Sequence, residues 1–152
     1  MRGVYEATVR VTGVTQAQTL LYITVPSNKV VEVLSAEITN ATNETNEQCE
    51  GALQLVSLLG TPTAATITPT KTEQGDQASA CTVKGPVTAS EPTYSAGVEL
   101  GAKGFASLAG YQYAPVPEER PVLAGGSTWG LRLLNNPSSA NLNGVLRYRE
   151  IG

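Results

Sequence analysis

Acidic residues are the first candidates for chemistry, because the chain contains no histidine. Histidine is the commonest general base and the commonest metal ligand, so its absence excludes most hydrolase triads. Glu118 and Glu119 are adjacent, and in an extended chain their carboxylates point to opposite faces instead of converging as a catalytic pair. Glu73, Asp76 and Glu91 could gather a hard cation, but they lack the ligand spacing of a calcium loop and are expected to be solvated. The sequence therefore predicts no enzyme, no metal and no cofactor.

The two cysteines are the second candidates. A nucleophilic cysteine needs a base or a positive charge nearby, and neither Cys49 nor Cys81 has one beside it in the sequence. Two isolated cysteines give neither a metal-binding spacing nor a disulfide framework. We expect two reduced, structural thiols and no need for a disulfide.

Arginines are the third candidates. Arg147 and Arg149 lie on one face of the last predicted strand, about 7 Å apart by strand rise, and Arg132 is expected on a neighbouring strand. One interpretation is a small basic patch that contacts a phosphate or a partner's carboxylate. The other, favoured by the net charge of −3, is cross-strand pairing with glutamates. Since the acidic balance supplies no broad positive field, no nucleic acid is expected as a partner.

Strands must position these residues, because apolar and polar side chains alternate with a period of two along much of the chain. Trp129 alternates in step with Leu131 and Leu133, which places its ring on an apolar face and predicts core packing. The third strand is apolar on both faces near its start and is expected to be central. The last two are expected to form a terminal hairpin. Predicted strands cover residues 5–12, 21–25, 30–38, 53–59, 129–134 and 142–151.

This pattern predicts an all-β fold, an antiparallel β-sandwich or small barrel with long loops and almost no helix, as one domain over residues 1–152. Residues 1–16 hold the N-terminal segment and the first strand, and residues 40–48 form a polar surface loop. Residues 61–103, rich in Thr, Pro, Ala, Gly and Ser, are predicted to be a long irregular loop region with brief strand-like patches at residues 66–68 and 81–83. Loops of that length are commonly functional or ordered by a partner.

Residues 111–120 read YQYAPVPEER and are the strongest candidate for an interaction surface. Prolines fix their own φ and lack a backbone donor, so this stretch is predicted to be a rigid extended segment at an edge. Such a segment loses less conformational entropy on association. Arg120 is expected to reach a carboxylate on its own or a neighbouring protomer. The predicted assembly interface comprises Tyr111, Tyr113, Pro115, Pro117, Glu118, Glu119 and Arg120.

The composition favours a protein with protein partners. Charged residues make up 15% of the chain, below the roughly 25% of an ordinary soluble domain, and a surface poor in charge favours a homo-oligomer. No apolar run approaches the roughly 20 residues of a spanning helix, and no apolar signal segment precedes Val4. We therefore expect no membrane association and synthesis in a cytosol. Asn40 and Asn43 match the glycosylation acceptor pattern but are expected to be turn residues.

Four short stretches, in this order, resemble the small head proteins of tailed bacteriophages. They are residues 17–26 (AQTLLYITVP), 60–69 (GTPTAATITP), 115–120 (PVPEER) and 148–152 (YREIG). The resemblance runs from about residue 17 to residue 152 and points to the auxiliary capsid proteins, also called decoration or cement proteins. Residues 40–48 and 84–103 match nothing in that pattern.

The resemblance implies a β-sandwich or jelly-roll protomer that forms a homotrimer. It also implies attachment to the major capsid protein on the outer surface of the virion head, after synthesis in the host cytoplasm. Two rival classes remain open. A carbohydrate-binding β-sandwich module would be favoured if the tyrosines between Tyr94 and Tyr113 were coplanar and exposed. An enzyme would need a pocket with convergent acids.

Overall fold

The computed structural model describes residues 3–43 and 45–152 and is built almost entirely of strands. Residues 1, 2 and 44, which belong to the predicted N-terminal segment and polar loop, lie outside the described residues. The one helical piece in the described chain is a 3-10 turn at Pro117–Glu119. The strands are β1 (Val4–Val14), β2 (Thr19–Thr24), β3 (Val30–Asn40), β4 (Gln48–Leu58), β5 (Thr66–Ile67), β6 (Thr70–Lys71), β7 (Thr82–Lys84), β8 (Thr93–Ala106), β9 (Tyr111–Tyr113), β10 (Val122–Leu123), β11 (Thr128–Leu133) and β12 (Ala140–Ile151).

The strands form two antiparallel sheets. The first sheet has the order β10-β3-β12-β1-β6, and β9 pairs with β3 on the same side as β10. The second sheet has the order β5-β7-β2-β11-β4-β8. The all-β sandwich predicted from the alternation is confirmed.

Eight strands carry the topology of the sandwich. In the first sheet they run β1-β12-β3-β9, and in the second they run β2-β11-β4-β8. Among these eight strands, each lies in the sheet opposite to that of the one before it in the chain, except β8, which lies in the same sheet as β4. This strand order is that of a jelly roll, in which two Greek keys close a two-sheet sandwich.

The core lies between the two sheets, where the inward side chains interdigitate. Tyr5 of β1 and Tyr148 of β12 are cross-strand neighbours in the first sheet, and their ring centroids are 5.5 Å apart. Trp129 is half-buried and packs against the core, as its alternation predicted. The largest fully buried side chains are Tyr111, Tyr148, Leu20, Leu21, Ile23, Ile38, Leu53, Leu123, Leu131, Leu133, Leu142 and Leu146.

Strand β3 is central, as predicted, but its two-faced apolar pattern has a different cause. Its pairing with β12 jumps from Ser35↔Arg147 to Val33↔Tyr148, so Leu34 is an extra residue in a β-bulge. The bulge shifts the alternation by one residue, and residues on both sides of it face the core. Val31, Val33, Ala36 and Ile38 are therefore all buried.

The predicted terminal hairpin is wrong. Strand β11 lies in the second sheet between β2 and β4, and β12 lies in the first sheet between β1 and β3. The connection between them crosses the sandwich, so Arg132 is not beside Arg147 and Arg149. Strands that are neighbours in sequence pair often but not always, and a jelly roll separates this pair.

The predicted irregular region, residues 61–103, is also wrong in part. It contains β5, β6, β7 and most of β8, the longest strand of the described chain. Strand β8 forms the outer edge of the second sheet and is mostly exposed, so it needs no apolar alternation. Three register shifts interrupt its pairing with β4, and Gly97 and Gly101 adopt positive φ there. Such bulges protect an edge strand from pairing with another chain.

Candidate functional site

The candidate site is the segment between β9 and β10, residues 114–121, here called the proline arch. Strands β9 and β10 both pair with β3, through Ala36↔Tyr113 and Glu32↔Val122. Only residues 33–35 lie opposite the proline arch, so the longer segment must bow away from the edge of the first sheet. The end of the proline arch is held at the sheet by a hydrogen bond that the Val33 amide donates to the Pro121 carbonyl at 3.0 Å.

The tip of the proline arch is the 3-10 turn at Pro117–Glu119, where the predicted extended rail is wrong. Val116 and Arg120, on either side of the turn, have extended backbone, and Pro117 occupies the first position of the turn. Proline fits there because its fixed φ suits the turn and its missing N–H would have no partner inside it. The Glu119 amide donates to the Val116 carbonyl at 2.9 Å. The segment is pre-ordered, but as an arch with a tight tip.

The surface of the proline arch mixes apolar and charged groups. Val116 is 55% exposed, and Val122, the first residue of β10, is 59% exposed. Pro117, Glu118 and Glu119 are exposed at the tip, whereas Pro115 is half-buried. The tip therefore presents exposed apolar groups next to two carboxylates.

Arg120 is half-buried, and its Nε atom is shielded from solvent without a hydrogen-bond partner among the described residues. Both ion pairs of the described chain involve other arginines. The expected contact between Arg120 and a carboxylate of its own protomer is therefore not formed in the part of the chain that the structure describes. The residue as a whole is only half-buried, so the accessible part of its guanidinium is available to an external acceptor.

Tyr111 belongs to the core and drops out of the predicted interface. It is 2% exposed, its hydroxyl donates to the Gly101 carbonyl at 2.9 Å, and burial raises its pKa. Tyr113 is half-buried with its ring against Gly101. Tyr94 is also largely covered, and burial raises its pKa to about 12. None of these three tyrosines is fully exposed, as a stacking platform for carbohydrate would require.

An open cleft lies beside the proline arch, between the end of β3 and the start of β9. Its volume is about 340 Å³. Glu37 is half-buried in it and forms no direct ion pair within the described residues, although its charge helps to raise the pKa of Arg147. Sequence inspection missed this cleft, because it depends on the pairing of β3 with β9. The cleft is lined by Glu37, Thr39, Ala109, Gly110, Tyr111 and Gln112.

Arg147 and Arg149 are paired across strands, which confirms the second interpretation of these residues. Arg147 Nε lies 2.6 Å from Glu6 Oε2, and Arg149 Nη1 lies 3.0 Å from Glu32 Oε2. The Glu6 hydrogen bond and charge raise the pKa of Arg147. Each of these two guanidinium charges is therefore balanced by a carboxylate on a neighbouring strand of the first sheet.

A polar cluster on the outer face of the second sheet was not foreseen. Glu91, expected to be solvated, is exposed but accepts hydrogen bonds from the Thr19 amide at 2.9 Å and the Thr19 hydroxyl at 2.5 Å. The Thr19 hydroxyl also lies 2.6 Å from the Tyr94 hydroxyl. The Arg132 guanidinium stacks on the Tyr94 ring, 4.2 Å from its centroid, and donates to Gln54 at 3.2 Å. The cluster fixes the start of β8 over the sheet.

Both cysteines are buried and free, as expected. Burial, followed by the Glu150 carboxylate, raises the pKa of Cys81 to about 12. Burial also raises the pKa of Cys49. Neither thiol is therefore poised as a nucleophile near neutral pH.

Within residues 3–43 and 45–152, no group of three or more His, Cys, Asp or Glu is placed to hold a metal ion. The same residues contain no helix long and apolar enough to cross a membrane. No family model, characterised protein or solved structure matches the chain.

Proposed function

We propose that the protein is an auxiliary capsid protein of a tailed bacteriophage. It binds the outer surface of the virion head as a homotrimer and bridges neighbouring capsomers of the major capsid protein. The observation that carries the proposal is the proline arch. It is a pre-ordered segment on the edge of a jelly roll, with exposed valines around an arginine that has no acceptor in the described chain.

The mechanism is passive binding. A protein that binds only where capsomers meet stabilises the assembled lattice relative to separated capsomers by mass action. The shell therefore resists separation of its capsomers under the internal pressure of the genome. Such binding needs area, shape and paired polar groups, and it needs no perturbed catalytic acid or base. The jelly roll supports the proposal as a rigid frame that presents its edge loops.

The structure of the proline arch suits this task. Pro115, Pro117 and Pro121 restrict the backbone before association, so little conformational entropy is lost when Arg120 is fixed by a partner. Arginine is enriched at interface cores because its planar guanidinium forms several directed hydrogen bonds. Val116 and Val122 supply apolar area beside it.

Two measurements test the proposal. Light scattering gives the oligomeric mass, for which we expect a trimer at micromolar concentration. Co-sedimentation with shells assembled from the phage's major capsid protein gives shell binding. Arg120→Ala should weaken either association by about 3–5 kcal/mol if the pair is buried at the interface, against about 0–1 if it is exposed.

Arg10→Ala is the matched control, because Arg10 is exposed on β1 and forms no ion pair among the described residues. Its loss should leave both associations unchanged. A monomer that does not bind the shells would contradict the proposal. Equal, negligible effects of the two substitutions would mean that the proline arch is not part of the interface.

A further inference from the structure

The cleft at the end of β3 has the chemistry of a site for a cationic side chain. Glu37 contributes a carboxylate without a direct ion pair in the described chain, Thr39 a hydroxyl, and Gln112 an amide oxygen. The charge of Glu37 helps to raise the pKa of Arg147, but the Arg147 guanidinium is bonded to Glu6. All three groups can accept hydrogen bonds. A hard metal ion is a poor occupant, because calcium takes six to eight oxygen ligands and the cleft offers one carboxylate.

The described cations of the chain differ in what they already contact. Arg147 and Arg149 are paired with glutamates, and Arg132 is held by Gln54 and Tyr94. Lys29 and Lys71 donate to backbone carbonyls, and Lys103 lies over the Tyr111 ring. Arg10 and Lys84 lie on strands within the sheets. Arg120 and Arg132 each have a shielded Nε atom without a partner in the described chain. Among the described cations, Arg120 is the one on a segment that bows out from a sheet edge, and of these two arginines it is the one with no hydrogen bond at all.

We infer that the cleft of one protomer receives Arg120 from the proline arch of a second copy of this chain. Glu37 accepts the guanidinium as an ion pair, and Thr39 and Gln112 complete its hydrogen bonds. The inference rests on the proposed function, since it names the contact that joins the protomers of the oligomer.

The geometry of one protomer favours contact between copies. Pro121, the residue after Arg120, is bonded to Val33, and Glu37 is four residues further along β3, one of them the bulge residue Leu34. The backbone beside Arg120 is therefore held roughly 10–13 Å from the backbone of Glu37. Arg120 and Glu37 of the same chain are not paired. Each copy carries one donor on the proline arch and one acceptor in the cleft, and a head-to-tail ring of copies uses each of them once.

Charge reversal tests the pair. Sedimentation equilibrium of the full chain measures association for the wild type, Arg120→Glu, Glu37→Arg and the double variant. Each single reversal should weaken association on the order of 100-fold, because it places like charges together at an interface. The double variant should recover association to within about tenfold of the wild type.

Controls separate this contact from the fold and from the proposed function. Arg10→Glu and Glu99→Arg reverse exposed charges on β1 and β8 and should leave association unchanged. If a reversal prevents folding, Arg120→Gln and Glu37→Gln keep the shape and should each weaken association. If the wild type is an oligomer and no Glu37 substitution weakens its association, the inference is overturned but the proposed trimer is not. A monomeric wild type overturns the proposed trimer itself, and with it the pair.

Discussion

The Ser79 hydroxyl donates a hydrogen bond to Glu150 Oε1 at 2.5 Å, across 71 residues of chain. The same carboxylate oxygen accepts from the Ala80 amide at 2.9 Å and from the Cys81 amide at 3.3 Å. Glu150 is 5% exposed and belongs to the last strand. This one side chain therefore fixes the segment that leads into β7 against the end of the first sheet.

Replacing Glu150 should destabilise the fold. Glu150→Ala removes a buried carboxylate that accepts three hydrogen bonds, and a hydrogen bond to a charged group contributes about 1.5–3 kcal/mol. Part of the loss is recovered, because the Ser79 hydroxyl still lies 2.7 Å from the Tyr148 hydroxyl and the Cys81 amide still donates to Ser79 Oγ at 3.2 Å. We expect a net loss of about 2–4 kcal/mol in the free energy of unfolding, measured by urea denaturation. Glu99→Ala, on the exposed face of β8, is the control and should change stability by less than about 0.5 kcal/mol. A loss no larger than that of the control would mean that water replaces Glu150.

Both thiols should resist modification in the native protein. Cys49 and Cys81 are buried, and their raised pKa values keep them protonated at pH 8. An aromatic disulfide reagent should therefore react with neither until the chain unfolds, after which both should react together. A reductant should leave the melting temperature unchanged. Rapid labelling of one thiol in the native state would show that local opening exposes it.

Much of the fold follows from alternation alone. The pattern around Val9 and that around Leu146 each predict a strand with one buried face, and both strands are there. Which strands pair does not follow, because pairing is decided by long-range packing. The bulge at Leu34 and the crossing from β11 to β12 are products of the two-sheet closure, and no local pattern encodes them.

The candidate site, too, could be predicted from the sequence only in part. The prolines around Arg120 predict a pre-ordered edge segment, because their restriction of φ is local. The cleft at Glu37 could not be predicted, since it exists only where β3 and β9 pair. Strand β8 was missed because an exposed edge strand with glycine bulges has no apolar alternation to detect.

Stability should fall in alkaline solution. Burial raises the pKa of Tyr94 to about 12, against 10.0 for an ordinary tyrosine. Between pH 10 and 12 the unfolded chain loses this proton and the folded chain keeps it, so rising pH favours unfolding. The contribution is complete below pH 10 and is lost as pH approaches 12. Burial raises the pKa of Tyr111 and Tyr148 as well, which steepens the decline.

Urea denaturation at pH 8 and pH 11 measures this decline in the free energy of unfolding. Tyr94→Phe is the informative variant, because it removes one ionisable phenol and should make the decline shallower. It should also destabilise the protein at pH 8 by about 1 kcal/mol, since the Thr19 hydroxyl loses a hydrogen bond. A wild-type stability that stays constant between the two pH values would contradict the burial of these phenols.

Two glycines of β8 should respond differently to alanine. Gly97 and Gly101 both adopt positive φ, at 74° and 63°, where an alanine is unfavourable by about 1–2 kcal/mol. A Cβ on Gly97 would meet nothing within 4 Å, whereas a Cβ on Gly101 would lie 2.5 Å from the Tyr113 ring. Gly101→Ala should therefore destabilise the protein by about 1–3 kcal/mol more than Gly97→Ala, measured by urea denaturation.

The same pair of variants tests how the core supports the proline arch. Tyr113 is the last residue of β9, and the proline arch begins at the next residue. Displacing the Tyr113 ring should shift the base of the proline arch and weaken self-association in Gly101→Ala, while Gly97→Ala should associate as the wild type does. Sedimentation equilibrium without urea, under conditions in which both variants are folded, separates the effect on association from the effect on stability. Equal association of the two variants would mean that the prolines hold the proline arch without help from Tyr113.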